Sequence, residues 1–144
     1  MRVDRPRGER EARERITVDI RRVVPDITSD RLDESRAFYV GILGFEVAMD
    51  LGWVMTLASP TNPAAQITLM RQDATAPMQP QLSVEVADVD AVYAAAMQRD
   101  AQIVYPLTEE RWGVRRFFVV DPNGVVVNVV SHHGSSAPPT TSQP

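Results

Sequence analysis

Few residues in this chain have side chains that do chemistry, and one of them stands in an unexpected place. Residues 125–130 read VVVNVV, so Asn128 is the single polar residue of an otherwise all-valine run. The stretch LSVEV offers a second polar row. Gln81, Ser83 and Glu85 alternate with Leu82, Val84 and Val86, and that alternation puts the three polar side chains on one face of a strand. Gln66 and Thr68 share a face of AQITL in the same way. Neutral carboxamides at Gln81 and Asn128 offer donors and acceptors, and Glu85 offers charge as either a cavity acid or an exposed one. A buried Asn needs a hydrogen-bond partner. Asn128 therefore either faces a ligand or is tied to Gln81 or neighbouring backbone.

Trp53 and Trp112 follow turns at equivalent places in two halves of the chain. Either they pack at a sheet rim or they form flat walls at the mouth of a cavity, with Tyr105 near Trp112. Arg115 or Arg116 either closes such a cavity or pairs with Glu109 or Glu110 on the surface. The two His residues, His132 and His133, come at the end of the last strand. Four residues at about 3.3 Å each separate His132 from Asn128, so neither His is expected to share a site with Asn128. There is no Cys, and all 15 basic residues are Arg. Nucleophilic thiols, thiolate metal sites, Schiff-base lysines and phosphate-loop lysines are thereby excluded.

The elements that must position these residues fall into two similar series. RRVVPDIT reads as a strand, with Pro25 pointing to an edge or a bulge. RLDESRAFYVGILGF reads as a helix with Leu32, Ser35, Phe38, Tyr39 and Ile42 on one face and Gly44 as its stop. FEVAMD, WVMTLAS and AQITLMR are three strands. After the proline-containing QDATAPMQPQ the theme repeats: LSVEV is a strand, and DVDAVYAAAMQRD is a helix capped by Asp88. Its buried face is Val89, Val92, Tyr93 and Ala96. AQIVYPL, RRFFVVD and VVVNVV are three further strands, the last two joined by the turn DPNG. The expected fold class is α+β: two βαβββ modules whose curved mixed sheets enclose a concave site.

At 144 residues this is one domain. Expected boundaries are a disordered basic arm over 1–21, a folded body over 22–133 and a flexible tail over 134–144. Within the body, module one covers 22–72, a linker 73–80 and module two 81–133. The net charge of −4 hides an asymmetry: residues 1–22 carry +3 and the remainder −7. An acidic body disfavours nucleic acid and favours neutral or cationic ligands. No run approaches a membrane span, and the N-terminus lacks the apolar core of a secretion signal, so a cytoplasmic location is expected.

SRAFYVGILGFEV, VEVADVDAVYAAA and RRFFVVDPNGVVVNVV, in this order, resemble the vicinal oxygen chelate superfamily. That superfamily includes glyoxalase I, extradiol dioxygenases, fosfomycin-resistance transferases and bleomycin-resistance proteins. The resemblance implies the paired βαβββ fold and, in metal-using members, a His on the first strand, a His or Gln opening the second module and a Glu on the last strand. Those positions fall here on Val23 or Val24, on Gln81 and on Asn128. A valine and two neutral carboxamides make a poor divalent-metal site.

The expectation is a metal-free protein that binds a flat, neutral or cationic small molecule, of the bleomycin-resistance kind. Its ligand-binding residues are Trp112, Gln81, Asn128, Glu85, Trp53, Gln66 and Arg115, with no cofactor. The alternative is a metal-dependent glyoxalase-like lyase or extradiol-type dioxygenase with displaced ligands. A homodimer is expected from open sheet edges and from the resemblance.

Overall fold

A computed structural model describes residues 17–72 and 76–132. The expected arm up to residue 16, the start of the linker, His133 and the tail lie outside the described residues.

The described residues form one eight-stranded sheet with two helices. β1 (Ile20–Thr28), α1 (Leu32–Gly41), β2 (Glu46–Asp50), β3 (Val54–Ala58) and β4 (Gln66–Met70) make the first module. β5 (Leu82–Val86), α2 (Val89–Gln98), β6 (Gln102–Glu109), β7 (Val114–Val120) and β8 (Val126–His132) make the second. The strand order is β2-β3-β4-β1-β5-β8-β7-β6, so the halves repeat one topology outward from a central β1–β5 seam. β1 runs parallel to β4 and β5 parallel to β8, while the seam is antiparallel.

Each helix covers one half of a single sheet face. Leu32, Met55, Leu57 and Leu69 form one core, with Ile27, Tyr39 and Phe45 packed on it. Val86, Val89, Phe117 and Val129 form the other, with Val92, Tyr93 and Ala96 from the expected face of α2. Phe117 is fully buried. Truncating such a ring to Ala costs about 3–5 kcal/mol. Asp88 caps α2 through a 3.1 Å bond accepted from the Ala91 N–H. Asp121 accepts from the N–H groups of Asn123 and Val125, which closes the DPNG turn with Gly124 at φ 85°.

Three expectations need correction. The first strand begins at Ile20, so Ile20 and Arg21 belong to the sheet and not to the arm. Pro25 is in a central strand, not at an edge. The N–H of Asp26 points to β5, donating to Gln81, so the missing N–H of Pro25 falls on the β4 side. Pairing with β4 begins only at Asp26, so no ladder bond is lost there. On α1, Phe38 and Ile42 are exposed, at 48% and 71%. Leu32 and Tyr39 face the core instead, and the Phe38 ring meets Tyr39 edge-on. A ten-residue helix on a four-stranded sheet has contact for a narrower stripe than its apolar residues span.

Candidate functional site

The sheet face turned away from both helices carries the polar residues. Alternation along each strand sets which side chains appear there. Ile27 lies in the α1 core, so its neighbour Asp26, with Val24 and Arg22, points to the opposite face. Pairing aligns Val24 with Ser83 and Arg22 with Glu85 across the seam. Ser83 aligns in turn with Asn128, Asn128 with Phe118, and Phe118 with Tyr105. A transverse row thus runs from the first module into the last strand.

At the centre of this row is a directed chain of hydrogen bonds. Asn128 Nδ2 donates to Ser83 Oγ at 3.1 Å, and Ser83 Oγ donates to Asp26 Oδ2 at 2.6 Å. Asp26 and Asn128 are both buried. Burial pushes the Asp26 carboxyl up to about 6, against the opposing effects of hydrogen bonds from Ser83 and Thr68 and the positive charge of Arg116. The amide oxygen of Asn128, Oδ1, is buried without a partner among the described residues.

A second network lies at the N-terminal end of the seam. Arg22 donates through Nε to Glu85 and through Nη1 to Gln66 Oε1, the latter at 2.6 Å. His132 Nδ1 is 3.0 Å from the other Glu85 oxygen. Burial pushes the Glu85 carboxyl up, but the bond and charge of Arg22, joined by His132, outweigh it and hold the group below its usual range.

The third group is an aromatic box around a buried cation. Arg116 Nε donates to Glu110 Oε2 at 2.7 Å, and both side chains are under one-tenth exposed. The guanidinium carbon is 5.4 Å from the Tyr105 ring centre, 5.3 Å from Trp112 and 5.0 Å from Phe118. Tyr105 donates its hydroxyl to the same Glu110 oxygen at 2.8 Å. Burial, and then that hydrogen bond, raise the Tyr105 pKa.

The residues singled out from sequence are distributed unevenly over this face. Asn128 and Glu85 sit on it, and Gln66 joins Glu85 through Arg22. Gln66 also donates to the Pro63 carbonyl. Gln81 uses its Oε1 to accept from the Val126 N–H, extending the β5–β8 ladder beyond its last backbone pair. Trp112 stacks on Arg116, while Trp53 is a half-exposed turn residue just before β3. Arg115 is on the other side of the sheet. It shares the face of Phe117 and pairs with Asp90 of α2 and with Glu109. Its neighbour Arg116 occupies the face expected for Arg115. The ligand set expected from sequence did not include Asp26, Ser83, Arg22, Arg116 or Glu110, although Ser83 was read on the polar row and Arg116 and Glu110 as a surface pair. The signal for Asp26 was its parity with Val24 and its opposition to Ile27.

The metal positions implied by the resemblance resolve to Val24, which is buried on this face, Gln81 and Asn128; Val23 is half exposed. Val24 has no donor atom, and the oxygen of Gln81 is bonded to backbone. Asp26, Glu85 and Glu110 belong to three separate networks, and among the described residues no three His, Cys, Asp or Glu side chains come together. These residues do not fit a divalent cation. A cleft of about 260 Å³ lined by Thr28, Ser29, Asp30, Arg71 and Gln72 lies beyond the C-terminal ends of β1 and β4 and shares no residue with the row.

Residues 20–129 match the family model described as Glyoxalase/Bleomycin resistance protein/Dioxygenase superfamily. The chain belongs to that superfamily. Solved structures of the superfamily share the fold. Methylmalonyl-CoA epimerase from Mycobacterium tuberculosis is 23% identical with a TM-score of 0.62, over 88% of this chain and 98% of that one. A superfamily member from Vibrio splendidus 12B01 is 20% identical with a TM-score of 0.60, over 80% and 99%. The Mn(II)-bound glyoxalase from Novosphingobium aromaticivorans is 19% identical with a TM-score of 0.53, over 78% of this chain and 38% of that one. No curated protein matches the chain. The superfamily thus accounts for the paired modules.

Proposed function

We propose that this superfamily member binds a flat, neutral or cationic small molecule on its concave face, without a divalent metal, in the manner of bleomycin-resistance proteins. The observation that supports the reading most directly is the replacement of two of the three implied ligand positions by Val24 and Asn128, with the oxygen of the third, Gln81, bonded to backbone. The acids on the face, Asp26, Glu85 and Glu110, favour a ligand that is neutral or cationic over an anionic one. A phosphate or carboxylate ligand would want unengaged Arg forks or a metal, and Arg22 is already bonded to Glu85 and Gln66 and Arg116 to Glu110. The protein is proposed to work as a homodimer in the cytoplasm.

Elemental analysis of the purified protein, run beside a fluorescence screen of aromatic amines, tests the reading. Substoichiometric metal and a saturable change in Trp emission are expected. About one Zn, Fe, Mn or Ni per chain, retained through dialysis, overturns it. A mass of 16.0 kDa by light scattering, where about twice that is expected, overturns the dimer.

A further inference from the structure

On the side of the sheet that carries the helices, apolar side chains remain uncovered in one place. The core under α1 draws on β1 to β4 and the core under α2 on β5 to β8. The helix axes are therefore centred about four strand spacings, or roughly 19 Å, apart. Each helix is about 10 Å across, so a trough about one helix wide runs between them over the β1–β5 seam. On its floor Val23 is paired with Val84 and Pro25 with Leu82. Val23 is 51% exposed although it sits in a central strand.

α1 supplies one wall of this trough. Arg36 reaches outward to Asp50 of β2, whereas Ser35 reaches Ser29 just beyond β1. Phe38 and Ile42 continue the Ser35 side at helical spacing, so these two exposed side chains lean over the trough. Beside them, Ala37 and Gly41 lie on the outward face of the helix. A Cβ at Gly41 would meet nothing within 4 Å. Gly weakens a helix relative to Ala, and the left-handed stop of α1 is Gly44, at φ 83°. No neighbour among the described residues therefore asks for the smallest side chain at position 41. A narrow strip of small residues flanked by Phe38 and Ile42 is the shape that seats in a trough one helix wide, and the chain carries both surfaces.

We propose that two copies of this chain pair back to back about a two-fold axis parallel to the seam, the outward face of each α1 lying in the trough of the other copy. This rests on the homodimer proposed above and names its interface; the ligand reading concerns the opposite face of the sheet.

Reciprocity, charge and area all favour a second copy as the occupant. One two-fold operation satisfies helix and trough on both molecules and leaves neither open, which closes the assembly at two. Because β1 and β5 are antiparallel, α1 starts at the end of the sheet where α2 finishes. The axis then sets the acidic first turn of one α1, Asp33 and Glu34, beside Arg99 at the end of the other copy's α2. The nine residues of β1 give the trough a length of about 30 Å, and its floor an area of roughly 300 Å². Two troughs, each hidden together with the helix face lying in it, come to about 1,200 Å², the size at which specific interfaces begin.

Light scattering on the intact chain at micromolar concentration locates the interface, with circular dichroism to confirm folding. Wild type is expected near twice 16.0 kDa. Ile42→Glu and Val23→Glu alter the two sides of the contact at positions exposed within one copy, and each should give folded protein at 16.0 kDa. Gly41→Ala should raise the dissociation constant about tenfold without loss of helix. Met97 is equally exposed but shares the Asp90 side of α2, towards β7, so Met97→Glu should leave the dimer intact. The chain has no Cys, and the double variant Ala37→Cys with Val23→Cys should form a disulfide between copies on mild oxidation. A dimer that survives both Glu substitutions, or a double variant that yields no linked dimer, overturns this interface and leaves a homodimer formed at the open edges β2 or β6. A wild-type mass of 16.0 kDa overturns interface and homodimer together, while ligand binding at the concave face stands or falls by its own screen.

Discussion

Ser83 and Asp26, 57 residues apart in the chain, are joined by a 2.6 Å hydrogen bond across the seam between the two modules. The acceptor is a buried carboxyl whose pKa is raised from 3.8 to about 6 by desolvation. A carboxyl raised in this way favours the folded state while protonated, below its unfolded pKa, and that contribution is lost as pH rises through the folded pKa. A rise of this size corresponds to about 3 kcal/mol. Asp26→Asn is expected to be more stable than wild type by about 1–3 kcal/mol at pH 7.5 and to lose that advantage by pH 4. Urea denaturation across this range checks it. A variant weaker than wild type at pH 7.5 would mean that Ser83, Thr68 and Arg116 fully compensate the buried charge.

Arg116 and Glu110 form a buried ion pair inside an aromatic box, and removing Glu110 takes a buried carboxylate away from the guanidinium. Glu110→Ala is expected to lower stability by about 3 kcal/mol. Arg116→Lys should also destabilise, because an ammonium cannot match the flat guanidinium against Tyr105, Trp112 and Phe118. Thermal denaturation measures both. A Glu110→Ala loss below about 1 kcal/mol would show that the pair is open to water.

Glu85 works in the opposite direction to Asp26. Its pKa is lowered, so its contribution is present above the unfolded value of 4.5 and is lost as pH falls through the lowered folded value. Glu85→Gln should therefore cost about 1 kcal/mol at pH 7 and nothing once wild-type Glu85 is protonated. Its partners Arg22 and His132 are 32% and 44% exposed, and solvent screening on their side keeps the expected effect small. Denaturant titrations at pH 7 and pH 3 provide the comparison.

Trp112 is expected to supply a stacking surface beside Arg116. For a flat aromatic cation such as benzamidine, Trp112→Ala should weaken binding about tenfold, or about 1.4 kcal/mol. Calorimetry on the two proteins decides it, and equal affinities would make Trp112 a packing residue for Arg116 alone.

The helices and hairpins were legible because their signals are local. Asp88 as a cap, the Val89, Val92, Tyr93 and Ala96 face, and the DPNG turn each involve residues within one or two turns of chain. The concave face was legible strand by strand: Ser83 and Glu85 do share a side. What local pattern does not supply is which side two different strands have in common. Phe117 and Phe118 are both fully buried, one toward α2 and one under Arg116. Hydrophobicity therefore gives β7 no parity, and Arg115 and Arg116 are indistinguishable until β7 is paired with β8. Asp26 was hidden for a related reason. Its role depends on Ser83 and Thr68, which only the seam and the β1–β4 pairing bring to it.

That seam also dictates an order of events in folding. The β3–β4 and β6–β7–β8 hairpins close short loops, whereas β1 meets β5 only after some 60 residues have been gathered, at a greater entropic cost. Asp26 and Ser83 contribute to opposite sides of that last junction. The polar row does not exist in either half-folded module; it is assembled when the halves meet. A molecule lodged across it would clasp the pairing that closes the longest loop, and would slow the parting of the two halves.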